Sequence, residues 1–302
     1  MKHLFKILCL PLFLALLTGC YQESPNEGRL SLGISDAPID GVTSLVLTVH
    51  SIGLKPVSGD PILIHLPTPK SIDLITLQGD KFEELLYQEP VPAGRYSWIR
   101  LYIDPTDAYF QIDRKTKNLG VRTNEDGGVD VATSIEILPG GQVFAIIDLD
   151  LRTSLKPPSG DIPDHYIEAD MRLIEIADAG HISGSVTSTA LNHIDCATRN
   201  LAVYLYEGSG ITPDDYDGVS PAQNEDDRGP DPFTSALVFL NPSASSGSYA
   251  FGFLPPGDYT MAYTCNADLD TVNREDRLVK FLGQLDITVF KGKTTLYDFT
   301  GQ

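Results

Sequence analysis

The chain predicts an all-β protein built from two β-sandwich domains of immunoglobulin or transthyretin type, with one short helix in the first. Three observations carry this. Short apolar runs alternate with polar residues at period two. The runs are rich in Val, Ile, Tyr and Thr, and Gly, Pro and Asp separate them at the spacing of strands and turns. The length, 302 residues, suits two modest domains, each able to bury its own core.

The strands of the first domain follow in order. Arg29–Ile34 alternates Leu30, Leu32 and Ile34 with small or polar residues, and Ser44–Val49 alternates Leu45, Leu47 and Val49. Ile62–Leu66, Ser71–Leu77, Tyr96–Ile103, Tyr109–Ile112, Gly128–Ala132, Gln142–Leu149 and Tyr166–Ile176 continue the series. The helix is placed at 80–86. Asp80 caps it, Glu83 stands three residues on as in a capping box, and Phe82, Leu85 and Leu86 give it an apolar side. Tyr96, Trp98 and Tyr102 share one face of a strand by period two and are expected to fill the core with Tyr109 and Phe110. The competing reading of these aromatics is a stacking platform for sugars.

A boundary near Asp178–Gly180 separates residues 29–178 from residues 179–302. The second series runs His181–Val186, Ala202–Tyr206, Ser235–Leu240, Tyr249–Phe253, Tyr259–Thr264, Val279–Val289 and Lys293–Phe299. Between its second and third strands, Gly208–Pro232 is dense in Gly, Pro and Asp and reads as a long exposed loop. Pro92-Ala93-Gly94-Arg95-Tyr96 and Pro256-Gly257-Asp258-Tyr259 each set a Pro/Gly turn before a strand opened by Tyr, a shared device rather than a duplication.

The formal charge is −19, and it becomes more negative once Lys2 and Lys6 leave with the leader described below. Such a balance excludes nucleic acid, whose phosphates it repels, and any electrostatic grip on anionic lipid headgroups. It suits solubility in an exported setting and leaves divalent cations as candidate partners. Lys2 and Lys6 precede an apolar run from Ile7 to Leu17, the layout of a secretory leader and too short to span a bilayer. Tyr21–Gly28 reads as a short tether. Of four cysteines, Cys9 lies in the leader, and an oxidising compartment favours a disulfide between Cys196 and Cys265.

Leu17-Thr18-Gly19-Cys20 resembles a bacterial lipobox. The resemblance implies cleavage after residue 19 and lipidation of Cys20, with palmitate among the attached chains. Tyr21 after that cysteine, in place of the Asp that retains Gram-negative lipoproteins in the inner membrane, implies the outer membrane. Leu30-Ser31-Leu32-Gly33-Ile34-Ser35-Asp36-Ala37-Pro38, Ile72-Asp73-Leu74-Ile75-Thr76-Leu77 and Pro92-Ala93-Gly94-Arg95-Tyr96-Ser97-Trp98-Ile99-Arg100-Leu101 resemble three signatures of a bacterial exported domain of unknown function. The family implies a surface or periplasmic β-sandwich lipoprotein and no activity. Ile182-Ser183-Gly184-Ser185-Val186 and Gly247–Phe251 leading to Leu254-Pro255-Pro256-Gly257-Asp258-Tyr259-Thr260 resemble a transthyretin-like or carboxypeptidase-regulatory-like sandwich, implying a spacer, adhesion unit or carbohydrate-contacting appendage.

Candidate chemistry is sparse. Asp36 before Ala37-Pro38 fits an Asx-type turn accepting backbone N–H groups, with a ligand role as the rival. Asp214, Asp215 and Asp217, and Asp268, Asp270, Glu275 and Asp276, are the best candidates for a weak calcium site, because hard cations want several carboxylates in one loop. Neither loop has regular ligand spacing, and the second lacks a turn glycine, so both read first as solvated surface. His50, His65, His165, His181 and His193 form no zinc motif, and no nucleophile elbow or phosphate loop occurs. The expectation is a lipid-anchored, non-enzymatic envelope protein that binds or scaffolds, with an envelope protein or glycan as partner and no cofactor beyond weak calcium. The rival is an envelope-polymer hydrolase with carboxylates at the domain junction, which calls for a deep cleft holding two of them in unusual environments.

Overall fold

The computed structural model describes residues 26–301 except 38, 40, 113, 126, 159–163, 197–199, 217–228, 244 and 271–277. Cys20 and most of the tether lie outside the described residues, as do Pro38, Asp217, Glu275 and Asp276. The protein is all-β. Its strands up to residue 175 are β1 Glu27–Ala37, β2 Val42–Pro56, β3 Ile62–Asp73, β4 Glu83–Pro92, β5 Gly94–Ile103, β6 Tyr109–Ile112, β7 Lys115–Val121, β8 Val129–Ile137, β9 Gln142–Asp150, β10 Leu155–Lys156, β11 His165–Ile167 and β12 Met171–Glu175. One sheet has the order β12-β9-β1-β4. The other has the order β10-β11-β7-β6-β2-β5-β8, with β3 on the far side of β2. β1 pairs in parallel with β9, Arg29 opposite Gln142 through Ala37 opposite Asp150. β5 and β6 run in line along β2, which pairs with β5 from Val49 to Pro56 and with β6 from Val42 to Val46.

The two sheets face each other across one core. Leu30, Leu32 and Ile34 of β1 and Ala145, Ile147 and Leu149 of β9 meet Leu45, Leu47, Val49, Ile99 and Leu101 of the opposing sheet. Alternation along β9 therefore sends Phe144, Ile146, Asp148 and Asp150 out of that core.

The helix expected at 80–86 is absent; β4 occupies its place. Pro90 and Pro92 remove backbone donors and close off a helix, and β4 is an edge strand paired only with β1, where proline is tolerated. Leu85 and Leu86 are both buried because the register shifts between them and Glu84: Gly33 faces Glu84 and Leu32 faces Leu86, which leaves Leu85 as an extra residue. The first half does hold a short helix, α1, at Leu151–Ser154, whose Arg152 and Thr153 N–H groups are capped by the Asp150 carboxylate.

The remaining elements are β13 Gly180–Val186, helix α2 Ser188–Leu191, β14 Ala202–Glu207, β15 Thr234–Leu237, β16 Phe239–Leu240, β17 Gly247–Leu254, β18 Gly257–Thr264, β19 Phe281–Val289 and β20 Thr294–Leu296. They form sheets of order β16-β17-β13-β20 and β15-β14-β18-β19, stacked over Ile182, Val186, Phe251, Val203, Leu205, Met261 and Ile287. Cys196 and Cys265 form a disulfide with Cα atoms 4.8 Å apart, inside the ordinary range. It ties a 3-10 turn at Ile194–Cys196 to the residue after β18.

Gly208–Pro232 is not exposed throughout. Ile211 and Tyr216 pack on Ala202, Tyr204 and Ala262, covering the outer face of the β14–β18 sheet, and Asp214 and Asp215 are each 1 % exposed. A segment rich in Asp packs there because Tyr206 and the loop's own backbone meet its polar groups. The Tyr206 hydroxyl donates to the Asp214 carbonyl at 2.5 Å, and the Asp214 carboxylate accepts from the N–H groups of Asp215 and Gly229.

The shared Pro/Gly-Tyr device has one hydrogen bond in common. Tyr96 donates its hydroxyl to the Pro92 carbonyl, and Tyr259 donates to that of Pro255, each four residues back. Each phenol thereby satisfies its polar end while the ring is buried. Among the described residues no helix is long and apolar enough to cross a membrane.

Candidate functional site

The outer face of β9 meets the C-terminal half, and the seam has two parts. Its apolar part joins Phe82, Phe144, Ile146 and Ile174 to Phe253 of β17, with Phe82 edge-on to both Phe144 and Phe253. Its polar part begins at Asp148, whose neighbours in the fold carry charge. Asp148 is paired with Arg172 of β12, and the Arg172 guanidinium lies 4.3 Å over the Phe233 ring. Arg152 of α1 is 2 % exposed. Its Nη1 lies 3.4 Å from an Asp270 oxygen, its Nε donates to Ser235 Oγ at 3.2 Å, and Tyr204 and Tyr216 flank it. Tyr204 donates to Asp270 at 2.6 Å and Tyr216 to Asp150 at 3.4 Å. Residues far apart in sequence thus form one network between the halves.

Three carboxyls here are held above the ordinary range. Burial pushes Asp36 well up, and the like charges of Asp148 and Asp150 add to this. Burial raises Asp148 against the pull of Arg172. Burial raises Asp150 to about 6, opposed by Arg172 and by the Thr153 N–H. Asp36 is not the turn-maker its sequence context predicts. It is 4 % exposed, and neither carboxylate oxygen has a hydrogen-bond partner; the Leu151 N–H lies near enough to oppose the rise without completing a bond. Asp36 lines a cavity of about 10 Å³ with Asp148, Arg172, Ser235 and Gly252. That volume admits one water and no substrate.

Of the acidic residues singled out for calcium, those among the described residues stand in different settings. Asp214 and Asp215 are buried in the loop that covers the β14–β18 sheet, Asp268 is exposed on a 3-10 turn, and Asp270 is the partner of Arg152. Among the described residues no group of three or more acidic, His or Cys side chains is arranged to hold a metal ion.

A second candidate surface lies on the outer face of the larger N-terminal sheet. Tyr96 is buried as expected, and so is Phe110. Trp98 and Tyr102 are not core residues. Lys55 of β2 faces Trp98 while the next residue, Pro56, faces Tyr96, so Ser97 is an extra residue on β5 and the strand changes parity. Ile99, Leu101 and Ile103 then face inward, and Trp98, Arg100 and Tyr102 stand on the outer face, both rings half-buried. β2 carries a matching shift between Val49 and Ser51, so Ser51 pairs with Tyr102, Gly53 with Arg100 and Lys55 with Trp98.

The result is a row of planar groups. The Arg100 guanidinium lies 4.3 Å from the Trp98 ring and 6.0 Å from that of Tyr102, and grips Asp130 through Nε at 2.5 Å and Nη2 at 2.9 Å. Gly53 is the floor beneath them. A Cβ there would stand 3.3 Å from each of Arg100, Trp98 and Tyr102. Leu63, half-exposed, and His65, whose Nδ1 is 2.9 Å from Ser51 Oγ, border the row on β3. Sequence reasoning had these aromatics in hand and missed their direction, because nothing local marks a bulge at Ser97.

Residues 27–166 match the model of a family described as a domain of unknown function, DUF4382. No curated protein sequence matches the chain. Similar solved structures include the Bacillus anthracis TIE protein, 11 % identical with a TM-score of 0.20, covering 92 % of this chain and 34 % of its own; the chain therefore spans about a third of that protein. A candidate adhesin from Bacteroides ovatus is 11 % identical with a TM-score of 0.24, over 88 % of this chain and 89 % of its own. GBS52, the minor pilin of Streptococcus agalactiae, is 12 % identical with a TM-score of 0.20, over 90 % and 95 %. At such scores none of these likenesses carries an argument about function.

Proposed function

We propose that this is a lipid-anchored cell-envelope protein without catalysis, which binds an envelope glycan on the outer face of its larger N-terminal sheet and holds that face on a rigid pair of sandwiches. The observation that carries the reading is the outward row Trp98, Arg100 and Tyr102 over the Gly53 floor. Flat, half-buried rings beside charged hydrogen-bonding groups suit a pyranose, which offers an apolar ring face and a rim of hydroxyls. The welded seam supports the scaffold part, since charged and apolar contacts both cross between the halves. The hydrolase reading has less support: Asp36 and Asp148 are raised carboxyls at the junction of the halves, but the cavity that they line, about 10 Å³, offers no room for a polymer.

Affinity electrophoresis of the full chain through gels containing envelope polysaccharides tests the glycan claim. Trp98→Ala is expected to weaken retardation about tenfold, the size of roughly 1.4 kcal/mol of lost stacking. Equal retardation of wild type and variant, or none by any polysaccharide, removes the proposal. The anchor is tested separately. Labelled palmitate is expected to enter the wild type and not Cys20→Ser, and the wild type is expected in outer-membrane fractions. Two or three acyl chains hold a protein firmly where one does not. A wild type that takes up no label, or fractionates as free protein, counts against anchoring at Cys20.

A further inference from the structure

A buried carboxylate with no hydrogen bond to either oxygen is costly enough to demand a cause. Asp36 is such a group. The charges around it can be matched in pairs, and the matching leaves it out. On β9, Asp148 has Arg172 of β12. On α1, Arg152 has Asp270. Asp150 has the N–H groups of Arg152 and Thr153 and the Tyr216 hydroxyl. From the end of β3, Asp73 adds a further like charge, while its own oxygens accept from Ser44 Oγ and the Leu45 N–H. The C-terminal half brings Thr234 and Ser235 of β15 and Ala250–Gly252 of β17 to the cavity, none of them ionisable, and the loop before β4 brings Gly79. Among the described residues, no cation faces Asp36 that another carboxylate does not already hold.

We propose that Asp36 is a proton-binding site: the chain folds with this side chain as the neutral acid, and the packing of β1 and β9 against the C-terminal half is thereby linked to pH. A neutral carboxyl bears burial far better than an ion does, and once Asp148 and Asp150 have ionised beside it, Asp150 at about 6, loss of its proton adds a third negative charge. The direction of the linkage follows. A carboxyl held above its unfolded value binds its proton more tightly in the native state, so this contribution is full below the ordinary aspartate value of about 3.9 and is lost as pH rises from there to the folded value. The seam tightens on acidification.

The test compares full-length wild type with Asp36→Asn, which mimics the neutral acid in shape. Chemical denaturation is followed from about pH 5 to about pH 8. The wild-type unfolding equilibrium constant is expected to rise with pH by up to tenfold per unit more steeply than that of Asp36→Asn, tenfold per unit being the linkage of one proton. Hydrogen exchange in residues 148–152 and 234–237, corrected for its intrinsic pH dependence, is expected to accelerate in the same window in the wild type alone. Carboxyl carbon NMR of aspartate-labelled wild type keeps the proposal testable if Asp36→Asn does not fold: the buried aspartates should titrate after the exposed ones, and Asp36 last of all. Parallel pH profiles in the two proteins overturn the proposal, as does a spectrum in which every aspartate titrates in the ordinary range. A wild-type melting temperature that rises with calcium, in a way Asp36→Asn abolishes, would make the cluster a metal site and equally overturn it.

Discussion

Arg152→Met is expected to cost the folded protein about 3–5 kcal/mol, the range for removing one partner of a buried ion pair. Arg152 is 2 % exposed and the Asp270 side chain is fully enclosed, so water cannot replace the lost cation. Asp270 would keep the Tyr204 hydroxyl and the Tyr216 N–H, enough to orient it and not enough to neutralise it. The loss should fall on both halves, because α1 belongs to the first and Ser235 and Asp270 to the second. Urea denaturation measures it. Pairing Arg152→Met with Asp270→Asn should recover much of the loss, since the second change removes the stranded charge. A single-variant cost below about 1 kcal/mol would mean that the pair is solvated and the seam open.

Converting Cys196 and Cys265 together to alanine is expected to cost up to about 4 kcal/mol, from the chain entropy released when a loop of this length is no longer closed. The sequence separation is 69, and both residues lie in the C-terminal core, 2 % and 0 % exposed. The effect should concentrate in the C-terminal half. Calorimetry of the variant should therefore show residues 180–296 melting ahead of the rest, and reductant should produce the same change in the wild type. An unaltered melting profile with free thiols confirmed would show that the bond contributes nothing to stability.

Much of the strand pattern was legible because alternation along one strand is a local property. Tyr109–Ile112 coincides with β6, and Ala202–Tyr206 falls one residue short of β14. Errors arose where a local signal admits two geometries. Phe82, Leu85 and Leu86 have helical spacing, yet a bulge lets adjacent leucines both turn inward on an edge strand. Trp98 and Tyr102 differ from Tyr96 by even steps, and one inserted residue reverses the face they occupy. Cys196 and Cys265 could be paired from count and compartment alone. The seam could not be read at all: Asp36, Asp148, Arg152, Arg172, Ser235 and Asp270 are brought together only by the packing of one half on the other.

The place of β1 in its sheet has a mechanical consequence. It lies between β9 and β4, in parallel register with β9 from Arg29 to Ala37, and its far end abuts the C-terminal half through Asp36 and Ala37. A pull applied at residue 27 against a load held by the C-terminal half therefore runs along the strand axis. Under that geometry the rungs on both flanks of β1 are sheared together and must fail almost at once, whereas a pull across the strand would part them singly. Forced unfolding is governed by the height of the unfolding barrier, so the direction of loading, more than the equilibrium stability, would decide how long this protein holds.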